Sequence, residues 1–195
     1  MSFINYVANE ITCKIVYCGP SCAGKTTNLQ WIYHNLQSQQ SNEVIQLPFD
    51  IERTLFFDFL PLALGKVQGI NVKFHLYSVP GELYLKQNRK IILNGVDGIV
   101  FVADCLPEQK NNNMDSLKDI QGILSSLGYN IKNMPFVFQY NKTDSPNALD
   151  INEMRLSLNR NQNKDFLAKA IKGEGVLNTF KGISQLILAQ IQSKS

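Results

Sequence analysis

The chain has few groups suited to binding metals, forming disulfides or entering membranes. Its 195 residues include four cysteines, two histidines and one tryptophan. Cys13, Cys18, Cys22 and Cys105 form no Cys-x-x-Cys pair, and His34 and His75 stand apart, so the tight ligand spacing of a zinc site is missing. The cysteines read as free thiols in a reducing compartment. No run approaches the roughly 20 apolar residues that cross a bilayer. The start, Met1-Ser2-Phe3-Ile4, lacks the basic segment and long apolar run of a secretory leader, and Ser2 stands where a myristoylated chain has glycine. The end, Gln192-Ser193-Lys194-Ser195, carries no prenylatable cysteine. A cytoplasmic protein without direct membrane insertion is expected. Charge of one sign is scarce too: 19 Lys+Arg face 16 Asp+Glu, a net +3 scattered along the chain, too little for a nucleic-acid surface.

With 44% hydrophobic residues, the chain suits one domain over 1–195, long enough to bury roughly 70% of the surface its unfolded form exposes. Strand-like runs alternate with helix-like ones. Ile11–Cys18, a run from about Ile70 through Tyr77, Gly98–Ala103 and Phe136–Tyr140 read as strands. The near-continuous apolarity of Gly98–Ala103 and Phe136–Tyr140 predicts burial on both faces, hence a sheet covered by helices. Helices are expected over 26–39, 113–127, 151–158 and 176–192. The last places Val176, Phe180, Ile183, Ile187 and Ile191 on one stripe. The polar run Glu108–Asn113 reads as a surface loop. The predicted fold is α/β: three layers, with a mostly parallel central sheet flanked by helices.

Directly after the first apolar strand comes Gly19-Pro20-Ser21-Cys22-Ala23-Gly24-Lys25-Thr26, which matches G-x-x-x-x-G-K-[ST]. A phosphate chain needs many short donors converging on it, and backbone N–H groups at a helix N-terminus supply them. Gly19 and Gly24 permit the tight path, Lys25 reaches the β- and γ-phosphates, and the Thr26 hydroxyl ligates Mg²⁺. The backbone of Ser21, Cys22, Ala23 and Thr27 belongs to the same cradle. The plain alternative is a glycine turn with a solvated lysine; the strand before and the helix after it argue against that.

The Phe136–Tyr140 strand leads into Asn141-Lys142-Thr143-Asp144, at the strand end where open α/β sheets hold ligands. The Asp144 carboxylate can accept both guanine N–H groups, whereas adenine offers no such donor pair. Asn141 can bond the base edge and tie this loop to the phosphate loop, and the Lys142 stem can cover the ring. Asn-Lys-x-Asp also makes a good turn by itself, so its weight comes from the company of the phosphate loop. Farther on, Lys169-Ala170-Ile171 ends a short strand-like run before Gly173, where GTPases usually show Ser-Ala-Lys; only Ala170 matches, and that resemblance implies its N–H as a contact to the guanine oxygen.

Taken together, the motifs resemble the bacterial small GTPases of the MglA type, Ras-like P-loop proteins that set cell polarity and motility. The resemblance covers nearly the whole chain. It is carried by Phe3-Ile4-Asn5-Tyr6, the Gly19–Thr27 loop, Arg53-Thr54-Leu55-Phe56-Phe57-Asp58-Phe59-Leu60-Pro61, Phe74–Gly81, Gly95-Val96-Asp97-Gly98 and Gln139–Lys142. It implies GTP and GDP as ligands, Mg²⁺ held by Thr26 and Thr54, a γ-phosphate contact from the Gly81 N–H, and Arg53 as a built-in arginine finger. At the third strand's end, where Ras-like proteins carry Asp-x-x-Gly, this chain reads Ser78-Val79-Pro80-Gly81, a hydroxyl residue that the MglA type shares.

Two positions depart from that family. Glu82 stands where it has glutamine, and Ser21 where it has glycine. An ionised Glu82 accepts a hydrogen bond from the attacking water but offers none to the γ-phosphate, and it sets negative charge beside a spreading anion. Ser21 crowds the space a water-orienting residue or arginine finger enters. A switch with slow turnover is expected; the competing reading makes Glu82 a working substitute or general base. A constitutively GTP-bound interaction module and a P-loop kinase or ATPase are the other classes considered. The resemblance further implies a roadblock-type activator of the MglB class, a response-regulator-like polarity adaptor, and effectors in type IV pili or gliding machinery. It implies a monomer recruited to a cell pole. Leu55–Leu60 reads as a sheet strand or, alternatively, a partner surface, while Trp31 and His75 read as packing residues.

Overall fold

Among the described residues a seven-stranded sheet with mostly apolar inner strands forms the centre of the chain. The computed structural model describes residues 3–5, 9–39, 58–67, 69–79 and 86–193. In chain order the strands are β1 (Phe3–Asn5), β2 (Glu10–Cys18), β3 (Asp58–Val67), β4 (Ile70–Ser78), β5 (Gly98–Asp104), β6 (Phe136–Asn141) and β7 (Asp165–Leu167). The spatial order is β3-β4-β2-β5-β6-β7. Strands β4, β2, β5, β6 and β7 run parallel, while β3 lies antiparallel on β4. β1 joins antiparallel to the Glu10–Thr12 end of β2, because β5 pairs with β2 only from Ile15 onward.

Every residue of β5 and β6 is buried, as their continuous apolarity requires of strands covered on both faces. The covering helices are α1 (Lys25–Gln39), α2 (Lys86–Leu93), α3 (Lys110–Ser126), α4 (Ile151–Leu158) and α5 (Val176–Gln192). On one face Leu29 and Ile32 of α1 join Val176, Phe180, Ile183 and Ile187 of α5 against Ile15, Phe74, Val100 and Val137. On the other, Leu93 of α2, Leu117, Ile120 and Leu124 of α3 and Met154 of α4 pack on Val16, Ile99, Phe101 and Phe138. The three-layer α/β architecture is therefore present, with the apolar stripe of α5 facing the sheet. Trp31 packs against the α1–α5 core and lies over the backbone of Gly173, so it is a packing residue.

Two local readings need correction. Glu108–Asn113 is not a surface loop: a 3₁₀ turn at Pro107–Gln109 leads straight into α3 from Lys110. Asn113 is fully buried; its Oδ1 accepts from the Asp104 N–H at 2.9 Å and its Nδ2 donates to the Asp104 carbonyl at 2.7 Å. Its polarity is consumed by the end of β5 rather than by solvent. The strand-like run before Gly173 ends at Leu167, and Ala170–Lys172 forms a 3₁₀ turn. That turn is closed by the Lys169–Glu174 bridge and by left-handed Gly173 and Gly175. Of the Leu55–Leu60 segment, Asp58, Phe59 and Leu60 are in β3, as the sheet reading has it, and Leu55–Phe57 lie outside the described residues.

Candidate nucleotide site

The carboxyl ends of β2 and β6 open onto one cleft. Seven of the sequence-predicted residues line it: Cys22, Gly24, Thr27, Asn141, Lys142, Asp144 and Ala170. The loop between β2 and α1 bends because Gly19 (φ +138°), Cys22 (φ +59°) and Gly24 (φ +98°) adopt positive φ. Two of the three are glycine, the residue for which that region costs nothing. Ala23 beneath the loop is fully buried.

Lys25 opens α1, and its buried ammonium folds back to donate to the carbonyls of Gly19 at 3.1 Å and Pro20 at 2.6 Å. Thr26 follows on the exposed side of the first turn, which holds no acidic residue. A helix start with an adjacent ammonium and no carboxylate in its first turn attracts an anion.

Across the cleft, Asn141 ends β6 and laces the two loops together. Its Nδ2 donates to the Ala23 carbonyl at 2.8 Å, and its Oδ1 accepts the Ala170 N–H at 2.9 Å. One carboxamide of the Asn-Lys-x-Asp segment thus joins the Gly19–Thr26 loop to the turn at Ala170. The model of the ADP-ribosylation factor family matches residues 2–187. The chain is also 47% identical over 192 residues, 98% of either chain, to the mutual gliding-motility protein MglA of Myxococcus xanthus (strain DK1622). Human and mouse ADP-ribosylation factor-like protein 4A are 29% identical to it over 140 residues, 72% of this chain and 62% of theirs. The chain belongs to this family and is an MglA-type small GTPase.

Membership makes it a protein that binds GTP and GDP and hydrolyses GTP, typically with Mg²⁺. Lys142 sits at φ +64° and sends its ammonium 2.5 Å from the Asp104 carboxylate, which is fully buried at the end of β5. Asp104 accepts the Leu106 N–H through its other oxygen, so the ammonium is fixed and the Lys142 stem lies along the cleft wall. Asp144 is exposed, and Lys172 from the 3₁₀ turn donates to its Oδ2 at 2.9 Å. That bond, with smaller help from the Asp144 backbone N–H and the charges of Lys172 and Lys169, holds the Asp144 carboxyl below its usual range. The Ala170 N–H is given to Asn141 in this arrangement rather than turned into the cleft. Ser21 is exposed beside Cys22, at the lip of the phosphate loop.

Arg53, Thr54, Gly81 and Glu82 lie outside the described residues. Asp104, Asn113 and Lys172 were not among the residues picked from sequence. A carboxylate closing a wholly apolar strand was the available signal for Asp104, since it pairs in register with Asn141 of the next strand. Burial, with only the Lys25 and Arg89 charges opposing it, pushes the Cys18 thiol below the loop up to about 12, which makes it a packing residue. Among the described residues no helix is long and apolar enough to cross a membrane.

Proposed function

We propose that this GTPase is a slowly hydrolysing switch that governs cell polarity and gliding motility, signalling to partners while GTP is bound. The observation that supports it is the Asn141 carboxamide, which makes the phosphate loop and the base loop one site. In this reading the backbone of Ser21, Cys22, Ala23, Gly24 and Thr27 surrounds the phosphates and Lys25 exchanges its loop carbonyls for phosphate oxygens. Asp144 accepts the two guanine N–H groups, Asn141 meets the base edge, and the Lys142 stem covers the ring. Thr26 and Thr54 would hold Mg²⁺, which supplies charge neutralisation between the phosphates. The donor set fits a hard cation, because both are hydroxyl oxygens.

Hydrolysis would then fall to Arg53, whose charge would offset that on the transferring phosphoryl group, and to Glu82, whose carboxylate would accept a hydrogen bond from the attacking water. A finger without good water placement delivers less than the 10³–10⁵-fold a complete one can supply. Replacing Glu82 by glutamine restores a donor toward the γ-phosphate, and single-turnover hydrolysis should quicken by about tenfold or more. Parent rates equal to those of a glutamine-bearing relative, unimproved in Glu82→Gln, would sink the slow-turnover reading. The Ser21–Glu82 pairing also favours a second reading, a constitutively GTP-bound interaction module. Nucleotide content decides between them: the module carries intact GTP through purification and hydrolyses none of it with an activator.

The relatives suggest the partners. The protein named for gliding motility in Myxococcus xanthus leads us to propose a roadblock-type activator of the MglB class, a response-regulator-like polarity adaptor, and gliding or type IV pilus effectors. We further propose a cytoplasmic monomer recruited to a cell pole by those partners.

A further inference from the structure

Beneath the cleft, three wholly buried polar side chains form a closed hydrogen-bond chain. They are Asn28 on α1, Gln139 on β6 and Thr179 on α5. Asn28 Nδ2 donates to the Gly24 carbonyl at 2.8 Å and to Gln139 Oε1 at 2.8 Å. Gln139 Nε2 donates back to Asn28 Oδ1 at 2.9 Å and on to Thr179 Oγ1 at 2.9 Å. The Thr179 hydroxyl then donates to the Gly175 carbonyl at 2.8 Å. Every donor hydrogen on the three side chains is used, two on each amide and one on the hydroxyl.

The two ends of this chain matter. Gly24 is the last residue of the phosphate loop before α1, and Gly175 closes the turn that carries Ala170 and Lys172. The chain therefore spans the same two loops that Asn141 joins, but from below and without lining the cleft. Buried polar groups cost free energy unless fully paired, so three of them linked in one place between α1, β6 and α5 need a reason. An apolar trio would fill the volume but would remove this second tie between the phosphate loop and the base turn, leaving the one that Asn141 makes.

We propose that Asn28, Gln139 and Thr179 are positioning residues: a brace that holds the phosphate loop in register with the base turn and thereby sets how long a guanine nucleotide stays bound. The inference rests on the nucleotide-site reading above. Preorganisation acts by removing the ordering cost that binding would otherwise meet, so losing the brace shows in the dissociation rate.

The experiment follows release of a fluorescent GDP from the full chain in a chase with excess GDP, alongside chemical unfolding. Asn28→Leu or Gln139→Leu alone strands a buried amide, so both unfolding midpoint and nucleotide retention should fall. The double variant removes both amides and leaves little unpaired, so its unfolding midpoint should return toward the parent's. GDP release should nonetheless remain about tenfold faster than in the parent, the loss of one or two net hydrogen bonds. A double variant that releases GDP at the parent's rate overturns the proposal and leaves the trio a core device only. If the double variant does not fold, Thr179→Val, which is close to isosteric, decides: release several-fold faster supports the brace, and an unchanged rate overturns it. A parent chain that binds no GDP defeats the nucleotide-site reading, and the brace with it.

Discussion

Gly24→Ala should abolish guanine-nucleotide binding, with affinity falling by about a hundredfold or more, because two costs meet at one carbon. The residue sits at φ +98°, where an L side chain is strained. A Cβ there would also lie 2.3 Å from Asn141 Nδ2 and 3.9 Å from the Ala170 Cβ. Asn141 has little room to retreat. Moving its carboxamide breaks the bonds to the Ala23 carbonyl and the Ala170 N–H, which are what join the two halves of the site. The Gly24 carbonyl also anchors Asn28, so the strain spreads into the core below. Equilibrium titration with fluorescent GDP, with circular dichroism to confirm the fold, checks this. Parent-like affinity would mean that the glycine and the Asn141 link have no part in binding.

Asp144→Asn should change which base is bound. The carboxylate accepts two N–H groups from guanine; an amide accepts one and turns its own N–H₂ toward the other. GTP affinity should fall by about 10²–10⁴-fold, the scale on which a site built for particular hydrogen bonds rejects a mismatched partner. Xanthosine triphosphate, with an oxygen in place of the 2-amino group, should gain correspondingly. The parent's pH profile follows from Lys172. Its bond to Asp144 lowers the carboxyl pKa, so the accepting, ionised form persists to lower pH than for a free aspartate. GDP affinity should therefore show no loss attributable to Asp144 from neutrality down to about pH 5, and weaken only as that carboxyl protonates.

The parts of this site that could be read from sequence are those whose chemistry is local. Gly19 to Thr26 and Asn141 to Asp144 stand out because the phosphate and guanine that we propose they bind each need several groups within a few residues. β5 and β6 are legible as strands because burial on both faces leaves a run of apolar residues. The parts that could not be read depend on distance in sequence. Asn113 looked like solvent-facing polarity in a run of asparagines, yet it clamps Asp104 across nine positions. Asn28 and Gln139 are 111 residues apart and look unremarkable in either strand or helix pattern until β6 is laid beside α1. Lys172 is one lysine among many, and only the turn set by Gly173 and Gly175 brings it to Asp144. β1 and β7, of three residues each, are so short that their strand character comes from the neighbour they pair with.

The claim on which the rest depends is that one cleft reads guanine and phosphate together. Competition against a fluorescent GDP bound to the parent chain tests it most directly, using GTP, GDP, ATP and inorganic pyrophosphate in parallel. The account predicts that GTP and GDP displace the probe at comparable low concentrations. ATP should fail even at about a thousandfold excess, and pyrophosphate should compete only weakly. Equal displacement by ATP and GTP would contradict it, because Asp144 would then be reading no base.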